Sequence, residues 1–292
     1  MRRIHPEQQC VIEEMAAKEK EKKFVQAVEA LPEPVCAHDK AFILLVYKGL
    51  RPGMILPLKL FSLPPGAERR GPTVEELMVY NQTRSVCSEF GIVAEPVESP
   101  FFPNDDESED FCKHLIIAKN QETVDQFMKP WKKFVHPDEQ GRDPEDERLI
   151  GYLMGFPPTA VNAYTELVRD HTPENKQRLL LDMATLPDEL KQQDYMAFAA
   201  LALSKGNWKN ELNTIRSWAK EVKRMSPSIY NSAVGAYRKI LEGSELEAGK
   251  RLKNRKFQAR KHQAPRRRHL LKGRNNHLGT WNLITICWFF LS

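Results

Sequence analysis

The chain has 292 residues, of which 41% are hydrophobic and 28% are charged. This length suggests about two domains, and this composition is typical of a folded soluble protein rather than a disordered one. The five cysteines form no Cys-x-x-Cys pair, and their odd number argues against a disulfide framework. The first residues lack the apolar segment of a signal peptide. We therefore expect a cytoplasmic protein.

The net charge of +5 is distributed unevenly along the chain. Residues 248–292 contain 12 of the 44 Lys and Arg residues and no Asp or Glu, so this tail carries +12 and residues 1–247 carry −7. An even distribution would place about six acidic residues in the tail. The tail has too few apolar residues for a core of its own, so we expect a basic, disordered segment.

The first predicted elements are a helix and a strand. Residues 7–31 have the i,i+4 ion pairs of a charged helix, which the prolines at 32 and 34 end. Ala41–Tyr47 is a continuous apolar run of strand length, which predicts a strand buried on both faces. After it comes a proline- and glycine-rich connection, with one short extended piece near Met54–Leu60.

The next elements complete a small α+β layer. A capping box at Thr73 predicts a helix to about Phe90. The pattern then predicts strands at Ile92–Val97 and Phe111–Ala118, and a helix over Gln121–Met128 that Pro130 ends. Residues 35–135 therefore predict one α+β domain with the order β-α-β-β-α, part of a ferredoxin-like arrangement.

Residues 143–245 predict an all-helical domain. Asp143, Thr172 and Ser226 each precede a proline, which is typical of a capped helix start. Leu190–Leu203 is apolar enough to predict a central helix. Farther along, Trp208 and Trp218 belong to an apolar stripe that is largely separate from the nearby basic residues. This arrangement indicates a core face and a solvated face rather than a nucleic-acid interface.

Motifs of the common enzyme classes are not found. The sequence has no glycine-rich phosphate loop, no His-Glu-x-x-His helix, no Gly-x-Ser-x-Gly elbow and no kinase signature. The acidic run Asn104–Asp110 lacks the glycine of a calcium loop, so we interpret it as a solvated hairpin loop. We expect no cofactor and favour a protein that is not an enzyme. The alternative is an enzyme with a site between the two domains, near His114, His136 and His171.

Two Cys-x-His pairs are the candidate metal site. Cys36 and His38 lie at the start of one predicted strand, and Cys112 and His114 at the start of another. Because residues i and i+2 share a strand face, the four side chains would converge on a tetrahedral zinc if the two strand starts were neighbours. The other interpretation is ordinary packing, which we favour because Cys-x-His is an uncommon zinc spacing. The same residues are the one place where Cys/His nucleophilic chemistry could be assembled.

The segment 149–164 contains Gly155-Phe156-Pro157-Pro158-Thr159-Ala160-Val161-Asn162-Ala163-Tyr164. It resembles a Gly-aromatic-Pro-x-Thr-Ala-aliphatic-x-Ala-aromatic motif of bacterial proteins without an assigned function, which carry an apolar strand and a Tyr upstream. Phe42–Tyr47 would match that strand, and the resemblance covers about residues 40–165. It implies no activity and no catalytic residue. The glycine and prolines are explained by a break between two helices.

The tail holds the candidate nucleic-acid-binding residues. They are Lys250, Arg251, Lys253, Arg255, Lys256, Arg266, Arg267 and Arg268. They would attract any polyanion without reading its sequence. The apolar end at 281–291 is too short to span a bilayer. Polyanion binding, a membrane-interface segment and a reading-frame extension without a role are the three open interpretations.

The favoured function is that of an intracellular binding or regulatory protein. A nucleic-acid-associated protein that uses the basic tail is the first alternative, and an enzyme is the second. An unidentified protein partner is compatible with the favoured interpretation. The sequence alone does not name a ligand.

Overall fold

The computed structural model describes residues 6–58, 74–100, 111–135, 143–170, 172–181 and 186–243. The chain divides into two compact units, Met1–Ala233 and Val234–Ser292. The helices are α1 (Pro6–Glu29), α2 (Ala37–Tyr47), α3 (Val74–Glu89), α4 (Gln121–Val135), α5 (Pro144–Leu153), α6 (Pro158–Arg169), α7 (Pro173–Leu179), α8 (Asp188–Lys191), α9 (Trp208–Met225) and α10 (227–243), with a 3₁₀ helix at Asp194–Phe198. The strands are β1 (Gly53–Leu58), β2 (Val93–Pro100) and β3 (Phe111–Ala118).

The protein is an α+β protein with a small antiparallel sheet, as the sequence predicts. The strand order is β1-β3-β2, and both pairings with β3 are antiparallel. β1 and β2 therefore run in the same direction on either side of β3, which is the arrangement of a split β-α-β unit. From β1 to α4 the element order is β-α-β-β-α, which is the predicted order with a different first strand: β1 takes the place of the strand predicted at Ala41–Tyr47.

Both faces of the sheet are buried. On one face Ile55 and Ile116, which are cross-strand partners, pack with Phe127 of α4 and Ile150 of α5. The residues that alternate with them are also buried: Met54, Leu56, Leu115 and Ile117. Two further helices contact the sheet: α2 contacts β1 and β3, and α3 contacts β2. The core is therefore layered, with helices on both sides of three strands.

The predicted strand Ala41–Tyr47 is wrong, because this segment belongs to helix α2. A continuous apolar run fits a buried strand and a buried helix equally well, and only the tertiary surroundings decide. Here the helix begins before the apolar run, where the Asp39 carboxylate accepts a hydrogen bond from the Cys36 N–H at 3.2 Å. Helix α2 is apolar all round because α1, α9 and the sheet contact it. The first strand is instead β1, where the sequence predicts a short extended piece.

Two predicted helices also differ from the structure. Helix α4 continues through Pro130 to Val135. A proline in a helix costs about 3 kcal/mol, and burial of the Trp131 ring in the turn that follows offsets that cost. Leu190–Leu203 is not one helix but α8, the 3₁₀ helix and an irregular segment. Its apolar side chains still fill the core, so the hydrophobic pattern indicates burial correctly and the type of element wrongly.

The three predicted proline-initiated helix starts are confirmed. Asp143 accepts from the Glu145 N–H at 2.9 Å, and Thr172 accepts from the Asn175 N–H at 3.2 Å. The Ser226 hydroxyl accepts from the N–H of the third residue of α10 at 3.0 Å. Each side chain satisfies a backbone donor that the helix leaves without an internal partner.

The second unit is described only at residues 234–243, which belong to α10. The predicted capping residue Thr73, the acidic loop Asn104–Asp110 and the basic tail lie outside the described residues. In the described part of the chain, no helix is long and apolar enough to cross a membrane. The division into domains 35–135 and 143–245 stays a prediction.

Candidate functional site

An arginine in the core is the most unusual feature of the structure. Arg51 lies in the short connection between α2 and β1, and its residue surface is 0% exposed. The connection turns at Gly49, whose positive φ of 71° follows the end of α2. The N–H groups of Leu50 and Arg51 both donate to the Leu45 carbonyl, at 3.0 and 3.3 Å. This turn directs the Arg51 side chain into the core instead of solvent.

The turn between α5 and α6 packs directly on Arg51. Its Met154 carbonyl accepts a hydrogen bond from Arg51 Nε at 2.7 Å. Gly155 has a φ of 75°, and a Cβ there would lie 3.2 Å from Arg51 Cα and 3.1 Å from Pro52 Cδ. Only glycine combines this left-handed conformation with so close an approach. The turn then places the Phe156 ring 5.4 Å from the guanidinium carbon.

Three aromatic rings surround the guanidinium. The ring centroid of Phe42, from α2, is 4.3 Å from Arg51 Cζ, and that of Trp218, from α9, is 5.2 Å away. Phe42 and Trp218 are buried, whereas Phe156 is only half-buried. Together with Arg51 and the Met154 carbonyl, these rings form what we call the Arg51 cluster. Each ring attracts a cation through its π face, by about 0.5–2 kcal/mol.

The two terminal nitrogens of Arg51 have no hydrogen-bond partner among the described residues. Nη1 and Nη2 are both inaccessible to solvent, and no acceptor in the described part of the chain reaches either of them. Burial lowers the pKa of Arg51 to about 9, and no described ionisable group contributes to this shift. The side chain is still charged at neutral pH. The described core therefore holds the positive charge of Arg51 and at least two N–H donor groups without an acceptor.

A buried carboxylate elsewhere on α9 is, by contrast, fully provided with partners. Glu211 is 1% exposed, and its Oε1 accepts from the Thr159 hydroxyl at 2.7 Å. Its Oε2 accepts from the Ser204 N–H at 2.7 Å, and the Ser204 hydroxyl donates to Oε1. Glu211 lies about two helical turns from Trp218. The fold thus satisfies this buried carboxylate with hydroxyl and backbone donors, whereas no described carboxylate pairs with the buried Arg51.

A second buried polar atom without a partner lies on the same helix as Phe42. His38 is 3% exposed, and its imidazole bonds the backbone of Ala197. The other nitrogen, Nε2, has no hydrogen-bond partner in the part of the chain that the structure describes. His38 precedes Phe42 by four residues, so the two side chains share a face of α2. Burial lowers the pKa of His38 to about 4, so the imidazole is neutral at physiological pH.

This shift predicts a specific pH dependence of stability. Between pH 6.5 and 4 the unfolded chain protonates His38 while the folded chain does not, so the free energy of unfolding falls as the pH is lowered. The expected loss is about 3 kcal/mol. A His38→Leu variant should lack it. The burial of Asp39 raises the pKa of that carboxyl to about 6 and has the opposite effect, so the comparison must be between the variant and wild type.

The direct measurement is an NMR titration of the histidine C2–H signals. We expect the His38 signal to titrate near pH 4. An exposed imidazole titrates near 6.5, and a His38 signal that does so would contradict the burial that the structure shows.

The structure removes the basis of the zinc hypothesis. Cys36 and His38 lie at the start of helix α2, not of a strand, so residues i and i+2 do not share a face. His114 is on β3, where its ring lies edge-on to Trp131 with centroids 5.5 Å apart. The side chain of Cys112 lies outside the described part. Among the side chains that the structure describes, no group of three His, Cys, Asp or Glu residues could hold a metal ion.

The candidate nucleophile is also unsuitable. Burial, helped by the Asp39 charge, raises the pKa of the Cys36 thiol to about 12. At neutral pH it is protonated, and a thiol reacts as its thiolate. Of the three histidines proposed for an enzyme site, His114 packs in the core, and His136 and His171 lie outside the described residues. The tail residues from Lys250 to Arg268 lie outside them as well.

The basic face of α9 agrees with its sequence pattern. Trp218, Leu212 and Ile215 are buried, and Lys209 and Arg216 are exposed. Arg216 Nη2 donates to the Tyr195 hydroxyl at 3.2 Å, and its guanidinium lies 4.9 Å from the Tyr195 ring. Arg216 is therefore an exposed counterpart of Arg51, because both pair a guanidinium with an aromatic ring.

Sequence reasoning did not find the Arg51 cluster. Its members come from three distant segments, and a single arginine in an irregular connection has no pattern to mark it. The one available signal was the Gly155-Phe156-Pro157 segment of the motif. Its helix break was predicted, but the contact of Phe156 with Arg51 was not.

Comparison with known proteins identifies no relative of this chain. No protein-family model, no curated protein and no solved structure matches this chain. The motif resemblance stays an expectation, and a functional assignment rests on the chemistry of the Arg51 cluster.

Proposed function

We propose that this protein is a binding protein, not an enzyme, and that it binds a small anionic molecule at the Arg51 cluster. The observation that carries the proposal is the buried guanidinium whose Nη1 and Nη2 have no partner among the residues that the structure describes. Buried charges in proteins are ordinarily paired, because an unpaired one costs several kcal/mol. An anion between these two nitrogens would supply the missing partner.

The chemistry of the cluster favours binding over catalysis. Around the guanidinium lie the rings of Phe42, Phe156 and Trp218 and one backbone carbonyl. None of these groups transfers a proton or attacks an electrophile at neutral pH. They can exclude water, which strengthens a charge-assisted hydrogen bond to a bound anion. Because Nη1 and Nη2 are inaccessible to solvent, an anion reaches them only when the half-buried Phe156 ring moves aside.

A comparison of variants in a melting-temperature screen tests this function. Anionic small molecules at constant ionic strength should raise the melting temperature of the wild type but not of Arg51→Met. The matched control is Arg216→Met, which removes an exposed guanidinium from an aromatic ring and should respond as the wild type does. Equal shifts in wild type and Arg51→Met would refute an anion site at Arg51.

A second candidate function is polyanion binding through the tail, which the charge distribution favours. Residues 248–292 carry +12 and residues 1–247 carry −7. A tail of this charge attracts nucleic acid by counterion release, and an acidic body repels it. This function is compatible with an anion site at Arg51, because the two would use separate parts of the chain.

Deletion of residues 248–292 tests the second candidate. In a gel-retardation assay with nonspecific double-stranded DNA at low salt, the deletion should remove most of the binding. Binding by the full chain should also weaken steeply as salt is added. If the shortened chain binds DNA as tightly as the full chain, the tail does not determine affinity. The exposed face of α9 around Lys209 and Arg216 then becomes the better candidate.

A further inference from the structure

The donors that remain free on Arg51 limit the kind of anion that fits. Nε already donates to the Met154 carbonyl at 2.7 Å, so Nη1 and Nη2 are the Arg51 donors that lack an acceptor among the described residues. These two nitrogens form the end of the guanidinium fork and lie in one plane. A planar pair of oxygens on one atom matches them with two parallel hydrogen bonds. A carboxylate offers that arrangement with no oxygen left over.

Charge balance favours the same group. The cluster holds one positive charge, and no described ionisable group contributes to the pKa shift of Arg51. A carboxylate brings one negative charge, whereas a phosphate monoester brings about −1.5 to −2 and three acceptor oxygens. The extra charge and the third oxygen would face the rings of Phe42, Trp218 or Phe156. An aromatic face is itself negative, so it repels an oxyanion.

The surroundings define the rest of the ligand. The walls of the cluster are aromatic, and its half-buried member is Phe156, in the turn at Gly155. A ligand that reaches Arg51 from this side must place its own body against Phe156. An apolar body gains from that contact, because it removes apolar surface from water. A polar body would leave its hydrogen-bonding groups without partners.

On these three grounds, which rest on the proposed anion site, we propose that the ligand is a monocarboxylate with an apolar body, of the aromatic or medium-chain aliphatic acid class. Its carboxylate pairs end-on with Nη1 and Nη2 of Arg51. Its apolar body packs against Phe156.

The test compares head groups on similar bodies, using the full chain at physiological salt. The probes are phenylacetate and octanoate, their neutral amides phenylacetamide and octanamide, and phenyl phosphate, each measured by calorimetry. We expect the two acids to bind at least about tenfold more tightly than the amides and phenyl phosphate. Arg51→Met should abolish this binding and Arg216→Met should not change it. The basic tail is present in both variants, so nonspecific attraction to it cancels.

A second measurement on the wild type does not depend on the folding of a variant. The ¹⁵N–¹H signal of Arg51 Nε should shift on addition of phenylacetate, and not on addition of phenylacetamide.

The outcomes separate the two proposals. Arg51-dependent binding of phenyl phosphate with equal or higher affinity would overturn the carboxylate assignment and leave the anion site in place. Equal binding of amides and acids would show that the charge does not matter, and would overturn both. If no probe binds and the Arg51 signal does not move, the carboxylate assignment fails, and only a positive result in the anion screen preserves the site.

Discussion

Arg51→Met should make the ligand-free protein more stable while it abolishes anion binding. Methionine has a similar length and no charge, so the substitution removes the desolvation penalty of an unpaired cation. Replacing buried charges by apolar side chains often stabilises a protein by 1–4 kcal/mol. The variant loses the hydrogen bond to the Met154 carbonyl and the attraction to three rings. We therefore expect a net gain of about 1–3 kcal/mol in the free energy of unfolding, measured in urea.

Stability gained where binding is lost is typical of a functional site and untypical of a structural one. Arg216→Met serves again as the control and should change the free energy of unfolding by less than about 0.5 kcal/mol, because Arg216 is exposed. A loss of several kcal/mol in Arg51→Met would instead identify Arg51 as a structural cation held by its rings. The proposed function would then lose its main support.

Gly155→Ala should be the most destabilising of the glycine substitutions at positive φ. An alanine there must adopt a φ near 75° and place its Cβ 3.1–3.3 Å from Pro52 Cδ and from the Cα and Cγ atoms of Arg51. The left-handed conformation costs about 1–2 kcal/mol and the crowding about 1–3 kcal/mol. We expect a total loss of about 3 kcal/mol, and weaker anion binding because the crowding displaces Arg51.

Two matched controls separate conformation from crowding. Gly49 and Gly91 have φ values of 71° and 78°, and a Cβ at either position meets nothing within 4 Å. Gly49→Ala and Gly91→Ala should therefore cost only the conformational part, about 1–2 kcal/mol. The difference from Gly155→Ala measures the packing of the α5–α6 turn on Arg51. If all three variants lose equal stability, that packing is loose and the turn does not position the arginine.

The sequence predicts elements well where local signals decide them. The capped starts at Asp143, Thr172 and Ser226 are confirmed because a side-chain acceptor followed by proline suits a helix start and little else. The hairpin of β2 and β3 is also confirmed. The run from Phe111 to Ala118, which forms β3, has the length and composition of a strand.

The sequence fails where tertiary surroundings decide. The apolar run of α2 shows neither the helical nor the strand spacing of apolar residues. It forms a helix because it packs against α1, α9 and the sheet. Pro130 stays inside α4 because Trp131 and Phe127 are held in the same core. The Arg51 cluster belongs to this class too, because Phe42, Phe156 and Trp218 are neighbours only after the chain has folded.

The position of α9 against α2 has a consequence for synthesis. Helix α2 ends at Tyr47 and its partner begins at Trp208, about 160 residues later. At 5–20 residues per second, the ribosome needs roughly 8–32 s to make that interval. Throughout it, the apolar side of α2 that α9 will cover is exposed on the nascent chain. We expect a cellular chaperone to bind the nascent chain first at this segment. When nascent chains are crowded, we expect aggregation to begin at the same segment.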